Sequence, residues 1–372
     1  MENFLVSARK YRPALFDSVV GQSHITNTLK NAIKSKHLAQ AFLFCGPRGV
    51  GKTTCARILA KTINCTNLTA EGEACGECTS CLAFQKNSSV NVYELDAASN
   101  NSVDDIRNLV EQVRYPPTSG QKKVYIIDEV HMLSNSAFNA FLKTLEEPPS
   151  YAIFILATTE KHKIIPTILS RCQIFDFKRI ETDDIAQHLA SIATREGIQA
   201  EPEALELIAR KADGGLRDAL SLFDLVSTFS GDGRITYSAT IDNLHILDYD
   251  YYFKITDALL AQDSSRAVLV FNEILRKGFD AHLFVAGLGE HLRNLLMCKD
   301  PQTVSLLSVS GKAKERYQLQ AQAATSGFLL NALNLMNQCD LAYKNSKHPT
   351  LLVELHLFKM AHLPSLIAQK KN

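Results

Sequence analysis

Short apolar runs alternate with amphipathic stretches in the first half of the chain. A strand that is buried on both faces carries a nearly continuous apolar run, as in a parallel sheet between helices. Helical periodicity over 53–64, and Ser102 followed by Asp105 three residues later, predict helices over 53–64 and 103–114. The apolar runs predict strands at 41–45, 90–95, 124–127 and 152–157. This half of the chain is therefore predicted to be an α/β domain.

The pattern changes after about residue 177, where helical periodicity begins to dominate. Thr182 and the pair Glu201 and Pro202 are predicted to cap helices. Residues 248–363 read as almost wholly helical. A chain of 372 residues suggests two or three domains. We expect an α/β domain over 1–178, a small helical lid domain over 179–243 and a helical domain over 244–372.

Composition narrows the class of protein. The apolar fraction of 46% and the charged fraction of 21% are typical of a soluble globular protein. The net charge of +1 gives no global basic field, so any nucleic-acid contact must be local. No apolar run of about 18 residues exists, and the start of the chain lacks a signal-peptide pattern. We expect a cytoplasmic protein without a membrane partner.

The segment Gly46-x-x-x-x-Gly51-Lys52-Thr53 matches a phosphate-binding loop and stands between a predicted strand and a predicted helix. Its backbone N–H groups and the start of the helix would bind phosphates. Lys52 would reach the β- and γ-phosphates, and Thr53 would hold Mg²⁺. A chance glycine turn before a helix is the alternative. The candidate nucleotide contacts here are Gly46, Pro47, Arg48, Gly49, Val50, Gly51, Lys52, Thr53 and Thr54.

An acidic pair, Asp128 and Glu129, ends the predicted third strand. Asp128 would hold the magnesium through water, and Glu129 would polarise the attacking water. This pair favours a hydrolase over a kinase. Two solvated acids at the start of a turn are the alternative.

Four cysteines, Cys65, Cys75, Cys78 and Cys81, lie within seventeen residues. Zinc prefers tetrahedral thiolate coordination, and short Cys-x-x-Cys steps wrap a chain around one ion. Four protein ligands leave no open position, so a zinc ion here would be structural. An iron–sulfur cluster and unligated thiols are the alternatives.

Two arginines and two threonines extend the candidate site. Arg171 follows a helix-like stretch after the fourth strand, and Arg217 opens a helix after two glycines. Cleavage of the γ-phosphate bond requires positive charge at that phosphate, and an arginine of a neighbouring subunit is a common source of it. Thr158 and Thr159 end the fourth strand and could orient the water. A surface or salt-bridge arginine and a strand-end threonine are the alternatives.

Taken together, these positions resemble the gamma/tau family of bacterial DNA polymerase III clamp-loader subunits, which are AAA+ ATPases. The resemblance covers essentially the whole chain. The motifs that carry it are Ala8-Arg9-Lys10-Tyr11-Arg12-Pro13, Phe16, Val19-Val20-Gly21-Gln22, the phosphate loop, the four cysteines, Glu94-Leu95-Asp96-Ala97-Ala98-Ser99-Asn100, Asp128-Glu129-Val130-His131, Ser170-Arg171-Cys172 and Gly214-Gly215-Leu216-Arg217-Asp218.

The resemblance implies an AAA+ domain with a zinc insert at 65–81, a lid, and a collar that holds a pentamer together. It implies ATP, Mg²⁺ and Zn²⁺ as bound groups. Thr158 matches sensor 1 and Arg217 matches sensor 2. Arg171 matches the arginine finger, which acts on the ATP of an adjacent subunit. The positions expected to pack against adenine are Tyr11, Arg12, Pro13, Val19 and Val20.

The resemblance also implies partners and a task. ATP binding would let the loader open the sliding clamp, and primed DNA would trigger hydrolysis. The partners would be the delta and delta-prime subunits, further gamma/tau copies, the clamp and primed DNA. The chain would belong to a polymerase holoenzyme (EC 2.7.7.7) without joining nucleotides itself. Tau-type members continue beyond Asn372, so a short gamma-like form and a shortened tau both fit, and the resemblance does not extend to helicase or polymerase binding.

The sequence alone leaves two rival functions open. One is a different AAA+ DNA motor, such as a branch-migration helicase, against which the zinc insert and Ser170-Arg171-Cys172 argue. The other is a non-catalytic assembly subunit, against which the presence of Lys52, Asp128 and Glu129 argues.

Overall fold

The computed structural model describes residues 6–117, 122–230, 233–244, 247–307 and 311–369. The chain divides into two compact units, Met1–Thr240 and Ile241–Asn372. The expectation that the chain start lacks a signal peptide rests partly on residues 1–5, and these lie outside the described residues. The predicted domain boundaries, at 178 and 243, stay predictions.

The first unit contains all of the strands in the described parts of the chain. Its strands are β1 (Ala41–Cys45), β2 (Val92–Asp96), β3 (Lys123–Asp128), β4 (Ala152–Thr158), β5 (Gln173–Asp176), β6 (Gln199–Ala200) and β7 (Arg234–Ile235). Its helices are α1 (Ser7–Lys10), α2 (Ser23–Lys34), α3 (Lys52–Ile63), α4 (Thr79–Gln85), α5 (Val103–Val113), α6 (Asn135–Glu146), α7 (Pro166–Leu169), α8 (Thr182–Glu196), α9 (Pro202–Lys211), α10 (Leu216–Phe229) and α11 (Tyr237–Asn243, which runs into the second unit). Short 3₁₀ turns lie at Phe16–Ser18, Val130–Met132 and Lys161–Lys163.

Five strands form one parallel sheet in the order β2-β3-β4-β1-β5. The four predicted strands are confirmed, with ends that differ from the predicted ones by at most two residues. The fifth strand, β5, was not predicted. It has four residues and pairs with β1 alone, and both of its end residues are exposed, so it shows no continuous apolar run.

The central strands are apolar because helices cover both faces of the sheet. Alternate residues of β1 serve different cores: Leu43 packs with the side of α5 and α6, and Phe42 and Phe44 pack with the side of α2 and α3. All residues of β1 and β4 are buried. Carboxyl ends of neighbouring parallel strands meet at one edge, which brings Cys45, Asp128 and Thr158 to the same side of the sheet.

The predicted helix caps meet different outcomes. The Ser102 hydroxyl accepts from the Asp105 N–H, and the Asp105 carboxylate accepts from the Ser102 N–H, so the predicted capping box is confirmed. Pro202 opens α9 after Glu201, as predicted. The prediction that Thr182 caps a helix is wrong, because α8 begins at Thr182 itself and Glu181 occupies the cap position.

Every element of secondary structure in the described residues of the second unit is helical, as its sequence pattern predicts. Its core is a cluster of buried apolar side chains that includes Phe271, Phe284 and Phe328. A 3₁₀ turn lies at Thr303–Leu306, and the helices are α12 (Tyr249–Leu260), α13 (Ser264–Arg276), α14 (Ala281–Met297), α15 (Gly311–Ala323), α16 (Ser326–Tyr343) and α17 (Pro349–Gln369). None of the helices described here combines the length and apolar character that a membrane span requires.

Candidate nucleotide site and metal centre

The phosphate-loop sequence connects β1 to α3, as its motif predicts. Three of its glycines have positive φ angles: 145° at Gly46, 77° at Gly49 and 103° at Gly51. These values favour glycine over residues with a side chain. A Cβ at Gly46 would lie 2.4 Å from the carbonyl oxygen of Phe177, so the position has no room for one. The loop and the start of α3 form the backbone arrangement that binds phosphates.

Lys52 is buried at the first position of α3, with 6% of its surface exposed. Its Nζ donates to the carbonyl oxygens of Gly46, at 2.8 Å, and Pro47, at 2.6 Å. Burial lowers the pKa of Lys52, while the nearby Glu129 and Asp128 act to raise it. A phosphate in the loop would offer this ammonium a charged acceptor in place of two neutral carbonyls.

The two predicted magnesium ligands meet although they are 75 positions apart in sequence. The Thr53 hydroxyl donates to Asp128 Oδ2 at 2.6 Å. Asp128 ends β3, and its other oxygen accepts from the Glu129 N–H at 2.9 Å. A hydroxyl and a carboxylate are oxygen ligands of the kind that Mg²⁺ prefers, so this pair fits the predicted ion.

Glu129 is held by the end of β4. It has a φ of 47°, and its Oε2 accepts from the Thr159 N–H at 3.3 Å and from the Thr159 hydroxyl at 3.0 Å. The neighbouring Thr158 is fully buried, and its Oγ1 lies 3.1 Å from His131 Nδ1. His131 Nδ1 also lies 3.4 Å from Glu129 Oε2, and its Nε2 lies 3.3 Å from Glu160 Oε1. His131 therefore connects both strand ends.

A cleft of about 890 Å³, open solvent included, adjoins the loop. Four apolar residues that sequence reasoning missed also line it: Ala8, Ile180, Leu216 and Leu220. In the sequence, nothing distinguishes these four apolar positions from ordinary core positions. The predicted site residues that line the cleft are Tyr11, Arg12, Pro13, Val19, Val20, Arg48, Gly49, Val50, Gly51, Lys52, Thr53, Thr54, Asp128, Glu129 and Arg217.

Positive charge gathers in this cleft. Partial burial lowers the pKa of Arg12, and repulsion from Arg57 and Arg217 lowers it further. Arg217 lies in the first turn of α10, where its N–H donates to the Gly49 carbonyl at 3.3 Å. An anion between these guanidinium groups and Lys52 would relieve their mutual repulsion.

Five residues predicted for the nucleotide site lie outside the lining of the cleft: Gly46, Pro47, Thr158, Thr159 and Arg171. The carbonyl groups of Gly46 and Pro47 accept hydrogen bonds from Lys52, and the Thr158 hydroxyl contacts the His131 ring. Arg171 is different, because its guanidinium donates to Glu146 at 2.7 Å and to the Thr167 carbonyl at 2.8 Å. About a third of its side chain is exposed.

The four predicted zinc ligands come together in space. Their Sγ atoms all lie within 4.8 Å of one another, and the Cys65–Cys75 and Cys75–Cys81 pairs are 3.5 and 4.0 Å apart. Tetrahedral zinc with Zn–S bonds of about 2.3 Å requires S–S distances of roughly 3.8 Å. The N–H groups of Glu77 and Cys78 lower the pKa of the Cys75 thiol, which favours the thiolate that binds metal, whereas burial raises the pKa of Cys65 and of Cys81. The donor set therefore fits zinc.

Models of three protein families match the chain in succession. "DNA polymerase III, delta subunit" matches residues 21–181. "DNA polymerase III clamp loader subunit, ATPase lid domain" matches residues 184–231. "DNA polymerase III subunits gamma and tau domain III" matches residues 241–372.

Curated relatives cover most of the chain. The DNA polymerase III subunit tau of Bacillus subtilis is 41% identical over 95% of this chain and 62% of its own length. The tau subunit of Escherichia coli is 44% identical over 75% of this chain and 43% of its own length. The gamma subunit of Buchnera aphidicola subsp. Baizongia pistaciae is 35% identical over 97% of this chain and 98% of its own length. The chain thus spans only part of the tau relatives.

The solved structures that resemble this chain have lower sequence identity to it than the curated relatives have. The RuvB Holliday junction branch migration motor of Thermotoga maritima is 21% identical, with a TM-score of 0.47 over 67% of this chain and 79% of its own. The Bacillus subtilis clamp loader delta protein is 15% identical, with a TM-score of 0.38 over 90% and 98%. At these values the likenesses add nothing to the assignment. The family models and the curated relatives, together with the parallel sheet and its phosphate loop, show that the chain belongs to the DNA polymerase III gamma/tau family of AAA+ clamp-loader subunits.

Proposed function

We propose that this chain binds and hydrolyses ATP as a motor subunit of a clamp loader, which opens the ring-shaped sliding clamp and places it on primed DNA. One observation carries the proposal. The Thr53 hydroxyl and the Asp128 carboxylate lie 2.6 Å apart, in a cleft that Lys52 and Glu129 also line. These are the four groups that a phosphate-loop ATPase requires at the triphosphate.

Binding uses groups along the whole cleft. The loop N–H groups and Lys52 hold the phosphates, and Arg217 reaches them from α10. Thr53 and Asp128 would hold Mg²⁺, which would supply positive charge beside the triphosphate. Adenine packs against the cleft residues that precede the loop in sequence: Tyr11, Arg12, Pro13, Val19 and Val20.

Hydrolysis requires a positioned water. Its oxygen attacks the γ-phosphorus, the bond from that phosphorus to the ADP oxygen breaks, and Glu129 accepts the proton of the water. Thr159 holds the Glu129 carboxylate through two hydrogen bonds, so the base has a fixed direction. His131, in the 3₁₀ turn after β3, contacts the Glu129 carboxylate, and Thr158 at the end of β4 contacts His131.

Arg171 acts on a different subunit in this proposal. Its side chain lies outside the cleft lining and is partly exposed, which suits a finger that enters a neighbour's ATP site. The working unit is therefore an assembly with delta, delta-prime and further gamma/tau subunits. The helical second unit serves as the collar of that assembly. By membership, the chain then belongs to the polymerase holoenzyme (EC 2.7.7.7).

Zinc at the four cysteines is a structural component of the proposal. The four Sγ atoms would fill all four tetrahedral positions around the ion and leave none for a reacting water.

The test is ATPase activity of the reconstituted loader, measured with and without clamp and primed DNA. We expect stimulation by both, and loss of clamp loading when all copies carry Lys52→Ala. No stimulation would overturn the clamp-loading proposal. A Lys52→Ala loader that loads clamps as well as the parent would overturn the motor role and leave an assembly subunit.

A further inference from the structure

Residues 7–20, here called the N-terminal segment, form one side of the nucleotide cleft. The segment contains α1, with four residues, and the 3₁₀ turn Phe16–Ser18. Helices this short are not stable alone, and the first N–H groups of each lack partners within the helix. The position of the segment therefore depends on groups elsewhere in the chain.

Glu73 of the cysteine insert supplies such a group. Its carboxylate accepts from the Phe16 N–H and from the Asp17 N–H, each at 3.0 Å and each through a different oxygen. Glu73 is 4% exposed, and Lys30 Nζ lies 3.8 Å from it. A buried carboxylate with both oxygens committed to the start of one turn holds that turn in place.

The metal ligands determine where Glu73 lies. Glu73 stands between Cys65 and Cys75, whose sulfur atoms are 3.5 Å apart. The Cys75 N–H donates to Cys65 Sγ at 3.3 Å, and the Thr69 N–H donates to the Glu73 carbonyl at 3.0 Å. Coordination of both cysteines to one ion closes the loop that carries Glu73. Without the ion, no covalent or metal bond joins the two ends of this loop.

The turn held by Glu73 leads directly into the cleft. The Val19 N–H donates to the Phe16 carbonyl at 3.1 Å, and both Val19 and Val20 line the cleft. Val19 Cγ1 lies 3.9 Å from the position that a Cβ on Gly51 would take. A shift of the turn would therefore move the part of the cleft wall, Val19 and Val20, that is proposed to pack against adenine.

We propose that the cysteine insert controls nucleotide affinity, with Glu73 as the positioning residue that couples the zinc site to the ATP site. The inference rests on the proposed function, because it takes the cleft to be the ATP site. Coupling between two binding sites is reciprocal. Zinc therefore strengthens ATP binding, and bound ATP makes the zinc harder to remove.

The test is a cycle of two perturbations on the full 372-residue chain. The Kd for ATP is measured by calorimetry before and after zinc is removed with a chelator, in the parent and in Glu73→Ala. Glu77→Ala, which removes an exposed carboxylate from the same insert, is the matched control. Zinc content is measured for every sample, and inorganic tripolyphosphate serves as a ligand without a base.

Removal of zinc from the parent is expected to raise the Kd for ATP about tenfold, within the usual range of coupling between sites. Glu73→Ala is expected to keep its zinc and show a similar rise, with less than about a twofold further rise on zinc removal. Glu77→Ala should match the parent. The Kd for tripolyphosphate should change by less than about twofold throughout, because the moved wall faces the base.

An unchanged ATP Kd after zinc removal would overturn the coupling alone, and so would additive effects of the two perturbations. Loss of zinc from Glu73→Ala would overturn it as well, because Glu73 would then be a residue on which folding of the insert depends. Equal weakening of ATP and tripolyphosphate would also overturn it. A zinc-loaded parent that binds no ATP would instead overturn the proposed function, and the coupling with it.

Discussion

At the scale of single residues, His131 is the side chain that joins the separate parts of the proposed hydrolytic site. It is almost fully buried and lies within 3.4 Å of Glu129, Thr158 and Glu160. Its Nδ1 faces the first two and its Nε2 faces the third. An asparagine amide can replace Nδ1, and a glutamine amide can reach the place of Nε2.

His131→Ala is expected to lower kcat for ATP hydrolysis about tenfold, a loss of roughly 1.4 kcal/mol in transition-state stabilisation, with an unchanged Kd for ATP. Glu129 would lose its support while the phosphate contacts remain. His131→Asn should recover more of kcat than His131→Gln. Steady-state rates of the assembled loader and ATP binding to each variant check this. A rise in Kd that matches the fall in kcat would contradict it.

A second histidine, His291, belongs to the core of the helical unit. Its Nε2 lies 2.9 Å from Gln320 Oε1, and its Nδ1 lies 3.1 Å from the Tyr317 hydroxyl. The Gln320 amide nitrogen donates to Phe253 and Asp257. Gln320 therefore presents its oxygen to Nε2–H, and the Tyr317 hydroxyl donates to Nδ1. Burial lowers the pKa of His291 to about 4, so the folded protein holds it neutral.

This histidine predicts a loss of stability in acid. The unfolded imidazole has a pKa of about 6.5, so below that value the unfolded chain binds the proton more readily. The contribution of His291 is complete above pH 6.5 or so and is lost as the pH falls towards 4. Between pH 7 and 5 this amounts to about 2 kcal/mol. Calorimetric unfolding at both pH values should show a smaller difference in His291→Gln than in the parent, and an equal difference would contradict the assignment.

At the scale of elements, α10 connects the two ends of the nucleotide cleft. Leu216, Arg217 and Leu220 line the cleft, and Asp224 follows Arg217 by two helical turns on the same face. Asp224 Oδ2 accepts from the Ser7 N–H, the first of α1, at 2.7 Å. The same short helix is held at its other end by Glu196 of α8, through Lys10 and Tyr11. These hydrogen bonds from Lys10 and Tyr11 lower the pKa of Glu196.

Asp224→Ala is expected to weaken ATP binding by removing this outside cap from α1. Loss of a helix cap costs about 1 kcal/mol, or roughly fivefold in Kd. Asp224→Asn keeps an oxygen that can accept from the Ser7 N–H, so its Kd should stay close to that of the parent. Calorimetry on the two variants measures the difference. Equal weakening in both would mean that the charge of Asp224, and not the hydrogen bond, is what matters.

At the scale of the whole molecule, the described chain contains one nucleotide cleft and an arginine, Arg171, that lies outside its lining. Glu146, at the end of α6, holds the Arg171 guanidinium at 2.7 Å. Such a surface pair is worth little on its own. The proposed role of Arg171 therefore requires a neighbouring subunit to receive it.

Mixed assemblies test this division of labour. Arg171→Ala chains keep a complete cleft, and Lys52→Ala chains keep the arginine, so each alone should lack hydrolysis in the loader. Mixing them should restore part of the ATPase activity, because some interfaces then combine an intact cleft with an intact arginine. Arg171→Ala chains should still bind ATP with the parent's Kd. Activity of unmixed Arg171→Ala loaders at the parent's level would rule out the arginine finger.

The sequence determined the local features of this protein, because these depend on short-range chemistry. The glycines of the phosphate loop, the apolar runs of β1, β3 and β4, the Ser102 capping box and the spacing of the cysteines each act within a few residues. The tertiary structure decided which distant groups meet. The short, half-exposed β5, the contact of Thr53 with Asp128, the three neighbours of His131 and the bonds from Glu73 and Asp224 to the N-terminal segment all join residues far apart in sequence. No periodicity or spacing records such contacts. Those of Thr53 and His131 arise only when the parallel strands align and bring their carboxyl ends to one edge of the sheet, and those of Glu73 and Asp224 arise only when the insert and α10 pack against the N-terminal segment.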